Sequence, residues 1–510
     1  MNKHYYITTP IYYPSGKPHI GHAYSSIISD VFARFKKIDG YNVHFLTGTD
    51  EHGLKIQRAS EENKMKPLEF CNKISKTFKN LSKILNLSNT DFIRTTEDRH
   101  KKAVQHLWKE LEKSGDIYLS KYSGWYSVSD EAFYNEDEIE TKDGEKVSVN
   151  SGSRVEWVEE ESYFFKLSKW QDKLLDYYEK NPNFILPQSR KNEVVSFVKS
   201  GLRDLSVSRK SFSWGIKVPS NEEHVIYVWL DALTNYISAL KYPDISNELY
   251  NNFWPADVHI IGKDILRFHA IYWPAFLLAA KIPLPKRIYG HGWILSGEEK
   301  MSKSKGNILD PLEIIDNYGL DPLRYYLIKE VSFGNDGKIS KEKLEDCINS
   351  DLANNYGNFC QRVTAFAEKN CDSKVPDSVE FNDQDKNILD NFSKNIKTLR
   401  SYIDDQKLNS YVDFIVNVLF DANKYFNDQE PWNKKNDKKR LNTIIYTSLE
   451  LIRKISIMLY PIIPSSSIKS LGVFNIKEKD ILFDTIKEHK YLKFNSKIDR
   501  VGILFKKIAK

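Results

Sequence analysis

The chain has 510 residues and a net charge of +6, with 41% hydrophobic and 28% charged residues. That length implies about three or four structural units, and the mean hydropathy of -0.52 is typical of a soluble globular protein. No stretch reaches the roughly 20 apolar residues needed to cross a bilayer, and no signal peptide precedes the first predicted strand, so we expect a cytoplasmic protein without a membrane partner. The composition excludes a minimal binding module and, with four cysteines, a disulfide scaffold.

The first 50 residues alternate between strand and helix signals. Residues 5–9 are aromatic and β-branched, and apolar residues recur every four positions over residues 22–38. A short buried strand is predicted at 43–46. This order is typical of a parallel α/β sheet, in which ligands bind at the carboxyl ends of the strands.

The α/β pattern is interrupted once and then resumes. Short strands rich in tyrosine, tryptophan and phenylalanine predict a small β-rich insertion at 115–166. Strand and helix signals return at 258–261 and 288–289. We therefore predict a Rossmann-like α/β domain built from residues 1–114 and 167–345.

Beyond about residue 345 the apolar spacing is helical throughout. The long predicted helical segments lie near 350–370, 385–425 and 440–460. We predict an all-α helical bundle over 346–510. Residues 341–510 carry +5 of the net charge, which hints at a polyanionic partner.

Two histidines flank a glycine between the first predicted strand and the first predicted helix. The sequence His19-Ile20-Gly21-His22 would place both imidazoles at a helix N-terminus, where backbone N–H groups and the helix dipole favour an anion. Gly21 would allow the backbone a close approach. Four letters alone are weak evidence, but their position favours phosphate binding.

A basic, hydroxyl-bearing segment lies far downstream, at residues 300–304. Its residues are Lys300, Met301, Ser302, Lys303 and Ser304. Most lysine-rich stretches are solvated surface loops. The alternative is a mobile clamp whose ammonium groups hold phosphates as charge builds on a leaving pyrophosphate. Neither motif is decisive alone, but the two in this order across an α/β domain are highly specific.

These two motifs match the HIGH and KMSKS signatures of class I aminoacyl-tRNA synthetases, and the chain resembles the methionyl-tRNA synthetases among them. Further matching segments lie at 9–13, 47–53, 229–232, 262–269 and 289–293. The resemblance implies activation of methionine by ATP, with Mg²⁺ present, to methionyl-adenylate and pyrophosphate. It implies a second step that transfers methionine to the 3′-terminal adenosine of tRNA(Met), for protein synthesis including initiation.

The resemblance also implies a methionine site. A pocket for a thioether must be apolar, aromatic and closely shaped. The matching positions are Ile11, Tyr13, Trp229, Ala232, Leu233, Tyr236, Ile265 and His269. Asp50 matches the carboxylate that holds the substrate's α-ammonium group, and Leu233 stands where some relatives carry proline. Taken singly, these residues would be ordinary core or capping residues, so their assignment rests on the resemblance.

The ATP site follows from the same comparison. His19, His22, Lys300 and Lys303 are the implied catalytic residues, which stabilise charge that develops on the phosphates. The other implied ATP-binding residues are Gly21, His291, Gly292, Trp293, Ile294, Met301, Ser302 and Ser304.

The helical bundle is implied to read the CAU anticodon while the α/β domain receives the acceptor end. Asn358 and Arg362 lie four residues apart, on one face of a predicted helix. Trp432 follows Glu430-Pro431 at a predicted turn and could stack on an unpaired base. Without the resemblance, a capping asparagine, a surface arginine and a packing tryptophan would be the simpler interpretation.

The inserted segment departs from many relatives, which hold zinc there with two cysteine pairs. The comparable positions are Ser127 with Asp130 and Ser148 with Ser151. Because hydroxyls are poor zinc ligands compared with thiolates, we predict that this insertion folds without a metal. Stoichiometric zinc in the purified protein would contradict that prediction.

The residue patterns alone leave three other functions open. A synthetase for valine, leucine or isoleucine is opposed by the short chain and the pocket segments. A non-catalytic tRNA-binding protein descended from a synthetase would not need His19, His22, Lys300 or Lys303. A small nucleotidyltransferase would not account for the helical third. Since no C-terminal dimerising extension follows the bundle, we expect a monomer.

Overall fold

The computed structural model describes residues 3–14, 16, 18–128, 132–134, 136–142, 144–149, 151–296, 299–300, 310–377 and 379–509. They form two compact units. The first unit comprises Met1–Lys3, His19–Val43 and Gly292–Lys510, and the second comprises His4–Pro18 and His44–His291. The boundaries of the four segments expected from the sequence stay predictions.

The strands are numbered in chain order. They are β1 (Lys3–Tyr12), β2 (Tyr41–Thr49), β3 (Asp91–Arg94), β4 (Ile117–Ser127), β5 (Ala132–Tyr134), β6 (Ile139–Lys142), β7 (Glu145–Ser148), β8 (Glu156–Phe165), β9 (Ile185–Leu186), β10 (Leu205–Ser206), β11 (Ser208–Arg209), β12 (Lys217–Val218), β13 (Asn221–Ile226), β14 (Val258–Gly262), β15 (Ile288–His291), β16 (Ile294–Ser296), β17 (Glu299–Lys300) and β18 (Gly337–Ile339).

The helices are numbered in the same way. They are α1 (Ile20–Ile38), α2 (Leu54–Glu62), α3 (Pro67–Ile84), α4 (Asp98–Lys113), α5 (Gln171–Lys180), α6 (Gln188–Lys199), α7 (Val228–Leu233), α8 (Asn235–Ser238), α9 (Glu248–Phe253), α10 (Trp273–Ala279), α11 (Pro311–Tyr318), α12 (Leu320–Glu330), α13 (Lys341–Cys347), α14 (Asn358–Asn370), α15 (Asp383–Asp404), α16 (Leu408–Asp428), α17 (Lys438–Leu459) and α18 (Pro464–Gly472). Two π-helical segments also occur, Phe268–Tyr272 and Ile348–Gly357.

The main sheet has six strands in the order β3-β2-β1-β14-β15-β9. β1 pairs in parallel with β14, β14 with β15, β15 with β9, and β2 with β3. Residues 5–9 of β1 are buried along their whole length, as expected for a central parallel strand covered on both faces. The predicted Rossmann-like architecture is therefore confirmed.

The carboxyl ends of three strands of this sheet, β2, β1 and β15, carry candidate residues. β1 leads into Tyr13, β2 into Asp50, and β15 ends at His291. Because these parallel strands end at one edge of the sheet, that edge is where such a fold binds its ligands.

The inserted segment is built on a long antiparallel pair, β4 and β8. Their register runs from Ile117 opposite Phe165 to Tyr126 opposite Glu156, and β5 and β10 complete a four-stranded sheet. The hairpin β6–β7 forms a separate two-stranded sheet. The prediction of a β-rich insertion is thus confirmed.

The C-terminal part of the first unit is helical, as predicted. One difference concerns the region 385–425, where the structure has two helices, α15 and α16, instead of one continuous segment. Gln406 between them has a φ of 54°, a left-handed backbone that ends a right-handed helix. Apolar periodicity continues on both sides of this break and therefore does not reveal it. None of the helices in the described part of the chain is long and apolar enough to span a membrane.

Candidate active site and anticodon site

His19 and His22 together cap the N-terminus of α1. The backbone N–H of Gly21 donates to His19 Nδ1 at 3.1 Å, and the backbone N–H of His19 donates to His22 Nδ1 at 3.0 Å. This reciprocal arrangement is a capping box made of two imidazoles, whose ring centroids lie 3.9 Å apart. Because each Nδ1 accepts a hydrogen bond, the proton of each neutral ring lies on Nε2. The backbone thereby fixes both rings as Nε2–H donors, the form that a phosphate oxygen requires.

Gly21 leaves the space in which the His19 ring lies. A Cβ atom at this position would be 2.9 Å from His19 Cε1 and 3.1 Å from its Nδ1. A side chain would therefore push the His19 ring out of its capping position. This close contact, and not an unusual backbone angle, explains the glycine between the two histidines.

Asp50 lies in a loop that is held by its neighbour, Glu51. The Glu51 carboxylate is fully buried and accepts two hydrogen bonds from Arg94, at 2.7 and 2.9 Å. The hydroxyls of Thr49 and Thr96 donate to it at 2.7 and 2.5 Å. Asp50 itself is tied to the end of β1, because its backbone N–H donates to the carbonyl of Tyr12 at 2.9 Å. The network fixes the backbone on both sides of the Asp50 side chain.

Asp231 connects the same loop to helix α7. Its two carboxylate oxygens lie 2.7 Å from His52 Nδ1 and 2.7 Å from His100 Nε2, and His100 Nδ1 is 2.9 Å from the hydroxyl of Ser238. Burial alone would raise the pKa of Asp231, but the two histidines outweigh it and hold this pKa at about 2. A buried carboxylate therefore sets the distance between the Asp50 loop and the helix that carries Trp229.

The candidate methionine residues form two hydrogen-bonded groups within the second unit. The hydroxyl of Tyr13 donates to the carbonyl of His52 at 2.9 Å, which places it with the Asp50 loop. The hydroxyl of Tyr236 lies 2.7 Å from His269 Nε2, and His269 Nδ1 lies 2.9 Å from the carbonyl of Ile265. Burial lowers the pKa of His269 to about 4, so the ring is neutral near pH 7, with Nδ1 donating to the carbonyl and Nε2 accepting from the tyrosine.

The remaining members of this set supply apolar surface. Trp229 stacks on Phe268 with ring centroids 3.6 Å apart. Ala232 and Leu233 are buried, whereas Ile11, Trp229 and Ile265 are partly buried and pack against the same core. Partly buried aromatic and aliphatic groups beside a buried core are the surface that an apolar side chain such as methionine would cover.

The second unit should lose stability in mild acid. Burial lowers the pKa of His44 and His269 to about 4 and that of His259 well below its usual value. Between the unfolded pKa of about 6.5 and these folded values, the unfolded chain binds more protons, so the free energy of unfolding falls as the pH falls. We expect the melting temperature to drop between about pH 6.5 and 4, and His259→Gln to make that drop shallower. An unchanged pH profile in this variant would contradict the expectation.

The described residues 291–296 and 299–300 are held mainly by backbone contacts. A Cβ on Gly292 would lie 2.1 Å from the carbonyl carbon of Asn335, so no side chain fits there. The backbone N–H of Trp293 donates to Asp336 Oδ1 at 2.8 Å. Ile294 pairs with Gly337, and Lys300 pairs through its backbone with Leu295. These pairs place the start of the KMSKS segment on the β16–β17 hairpin, whereas Met301, Ser302, Lys303 and Ser304 lie outside the described residues.

Two of the three candidate anticodon residues, Arg362 and Trp432, contact the last turn of α16. Arg362 Nη2 donates to Asn427 Oδ1 at 2.6 Å, and its guanidinium lies 5.4 Å from the centroid of the Phe426 ring. Trp432 is 41% exposed and meets Phe426 edge-on at 6.4 Å. Asn358 is the exposed first residue of α14, the helix that also carries Arg362. An exposed indole beside a guanidinium on an aromatic ring is suited to stack an unpaired base.

Several residues that shape these sites were not predicted. Arg94 and His100 reach the Asp50 loop and α7 from β3 and α4. Asn427 and Phe426 support Arg362 and Trp432. Glu51, inside the motif at 47–53, was a signal that a cationic side chain lies nearby. It did not indicate which cationic side chain this is.

The insertion contains two buried serines at the positions compared with zinc ligands. Ser127 and Ser148 are fully buried, and the backbone N–H of Ser151 lies 3.4 Å from the hydroxyl oxygen of Ser148. Asp130 lies outside the described residues. Across the positions that the structure describes, no group of three or more histidine, cysteine, aspartate or glutamate side chains could hold a metal ion. The zinc-free insertion stays a prediction.

Both parts of the chain match known protein families. Residues 5–364 match the family described as tRNA synthetases class I (M). Residues 375–510 match the anticodon binding domain of methionyl tRNA ligase.

Individual relatives are similar in sequence to this chain over nearly all of its length. The methionine–tRNA ligase of Brucella suis is 52% identical over 92% of this chain and 92% of its own, and that of Rickettsia conorii is 51% identical over 99% and 100%. Among solved structures, a Mycobacterium tuberculosis methionyl-tRNA synthetase in complex with methionyl-adenylate aligns with a TM-score of 0.96 at 44% identity, covering 99% of both chains. The chain belongs to the methionyl-tRNA synthetase family of class I aminoacyl-tRNA synthetases.

Proposed function

We propose that this chain activates methionine with ATP and transfers it to the 3′-terminal adenosine of tRNA(Met), using the residues described above. The observation that supports this assignment best is the imidazole capping box at α1, because it holds two Nε2–H donors at a helix N-terminus. A protein that bound only tRNA would not need them.

The first step is an attack by the methionine carboxylate on the α-phosphorus of ATP, which enters with Mg²⁺. The oxygen–phosphorus bond to pyrophosphate breaks as the new bond forms. His19 and His22 donate to phosphate oxygens through Nε2, and Lys300 and Lys303 neutralise the charge that passes to the leaving group. The adenine is held by the 291–294 segment, whose backbone packs closely against that of Asn335 because residue 292 is a glycine.

Methionine is held by two kinds of contact. Asp50 binds the α-ammonium group, and the Glu51 network keeps its loop rigid. The thioether lies against Trp229 and the neighbouring apolar residues Ile11, Ala232, Leu233 and Ile265. The Tyr236–His269 pair is buried, neutral and internally hydrogen-bonded, so it places no unpaired charge beside the thioether.

In the second step tRNA binds to the helical bundle and to the α/β domain. Arg362, Asn358 and Trp432 read the CAU anticodon, while the acceptor end enters the α/β domain. We propose that the enzyme works as a monomer in the cytoplasm and serves initiator and elongator tRNA alike, since both carry the same anticodon.

Trp432→Ala should weaken tRNA recognition and leave methionine activation intact. Loss of one base–aromatic stack is worth roughly 1–3 kcal/mol, which corresponds to about a 5- to 150-fold rise in the KM for tRNA(Met). Phe420→Ala removes an even more exposed aromatic ring, which lies on α16, and is the control. Equal effects of both variants on the KM would argue against base stacking by Trp432.

Lys303→Ala tests whether the chain is a catalyst or a binder. We expect methionyl-adenylate formation to fall roughly 10²- to 10³-fold, the usual size of one lost transition-state contact, with tRNA affinity nearly unchanged. Filter binding of labelled tRNA and a single-turnover assay of adenylate formation measure the two quantities separately. Wild-type adenylate formation in this variant would remove Lys303 from the mechanism.

A further inference from the structure

A buried ion pair lies behind the candidate anticodon residues. Asp385, in the first turn of α15, is fully buried. Its two oxygens accept hydrogen bonds from Arg440 Nη1 and Nη2 at 2.5 and 2.9 Å, and the hydroxyl of Tyr425 donates to it at 2.5 Å. A bidentate pair of this kind fixes the relative orientation as well as the distance of its two elements.

Arg440 also holds the end of α16. Its Nη2 donates to the side-chain oxygen of Gln429, and the Gln429 amide donates to Gln384 at 2.7 Å. Gln429 is the C-cap residue of α16, and Glu430 follows it with a left-handed φ of 44°. One guanidinium therefore joins the starts of α15 and α17 to the end of α16.

The residues expected to contact the anticodon lie on both sides of this cap. Phe426 and Asn427, in the last turn of α16, support Arg362 and Trp432. Trp432 itself stands in the 3₁₀ turn Pro431–Asn433 that follows Glu430. A shift of the Gln429 cap would thus move the supports of both residues at once.

We propose that Asp385, Arg440 and Gln429 form a positioning device for anticodon recognition, which holds Arg362 and Trp432 in the arrangement that binds unpaired bases. This inference rests on the proposed tRNA(Met) ligase function. In this inference the three residues act on the KM for tRNA through Arg362 and Trp432 and make no nucleotide contact of their own.

The pair could instead contribute to stability alone, and the chain supplies a control. Glu450 and Arg453 form another acid–arginine pair on α17, at 2.7 Å, in which both side chains are fully buried. Arg453 contacts Thr485 and Glu488 rather than the end of α16. Breaking this control pair should lower stability without a selective effect on tRNA.

The test uses Gln429→Leu, Arg440→Lys and the control Arg453→Lys in the full chain. Gln429→Leu removes the hydrogen bond between Arg440 and the end of α16 and leaves the Asp385–Arg440 pair in place. Arg440→Lys keeps the positive charge but cannot form the bidentate pair. For both we expect the KM for tRNA(Met) to rise roughly tenfold, about the effect of one lost hydrogen bond, with methionine-dependent ATP–pyrophosphate exchange unchanged. Arg453→Lys should lower the melting temperature and leave that KM within about twofold of wild type.

A coupling measurement separates positioning from stability. In a Trp432→Ala background, Gln429→Leu should raise the KM less than it does in the wild-type chain, because one of the two residues that it positions is already missing. Full additivity, or a wild-type KM in folded Gln429→Leu and Arg440→Lys proteins, would overturn the inference. If the wild-type chain failed to charge tRNA(Met), the proposed function and not this inference would have failed.

Discussion

Replacing His22 with asparagine should reduce methionyl-adenylate formation roughly 10²- to 10³-fold while leaving the fold intact. The asparagine oxygen can take the place of Nδ1 and accept the hydrogen bond from the His19 backbone N–H, which is 3.0 Å long in the structure. The Nε2–H donor is lost, so the phosphate contact disappears without loss of the helix cap. Single-turnover adenylate formation and the melting temperature measure the two effects.

His22→Gln gives the opposite pattern and serves as the matched variant. Its amide nitrogen lies near the position of Nε2, but it has no acceptor at the Nδ1 position. We expect it to retain more activity than the asparagine variant and to lose about 0.5–2 kcal/mol of stability, the usual cost of a missing cap. If asparagine were as active as histidine, or if glutamine were the less active and the more stable variant, the assignment of Nδ1 to the cap and Nε2 to phosphate would be wrong.

Glu51→Gln should be among the most destabilising single substitutions in the second unit. It leaves Arg94 facing a neutral amide in a site where the Glu51 carboxylate is fully buried and the arginine side chain is 18% exposed. Removal of one partner of a buried ion pair lowers the free energy of unfolding by roughly 3–5 kcal/mol. Because Arg94 is partly exposed, we expect a loss of about 3 kcal/mol. Because the Asp50 loop would also loosen, the KM for methionine should rise.

Glu97→Gln is the control for this experiment. Glu97 pairs with Arg99 at 2.6 Å in the same unit, but both side chains are about 30% exposed, at 30% and 27%. Such pairs contribute about 0–1 kcal/mol, and we expect no change in the KM for methionine. Urea unfolding and methionine titration of the exchange rate compare the two variants. Equal stability losses would mean that burial does not make the Glu51–Arg94 pair the more important one, and an unchanged KM for methionine in Glu51→Gln would mean that Glu51 does not hold the Asp50 loop.

The sequence predicts the scaffold well because the scaffold depends on local patterns. Apolar and β-branched runs predicted β1, β2 and β14, and a four-residue period predicted α1. The position of His19 and His22 at the start of α1 was predicted as well, whereas their capping role was not, although it joins residues only three positions apart.

The supports of the site could not be predicted, because they depend on contacts between distant parts of the chain. Arg94 reaches Glu51 across 43 residues, and His100 reaches Asp231 across 131. Asp385 and Arg440 are 55 residues apart. Periodicity indicates which face of an element is buried. It does not indicate which buried acidic residue will pair with which basic residue.

The most direct test of the proposed function is ATP–pyrophosphate exchange with a panel of amino acids. Purified wild-type protein should give its strongest exchange with methionine, because the apolar, aromatic set around Trp229 and the neutral Tyr236–His269 pair suit a thioether. Valine, leucine and isoleucine should give much weaker signals. Strongest exchange with any of these three, or no exchange with methionine, would contradict the account.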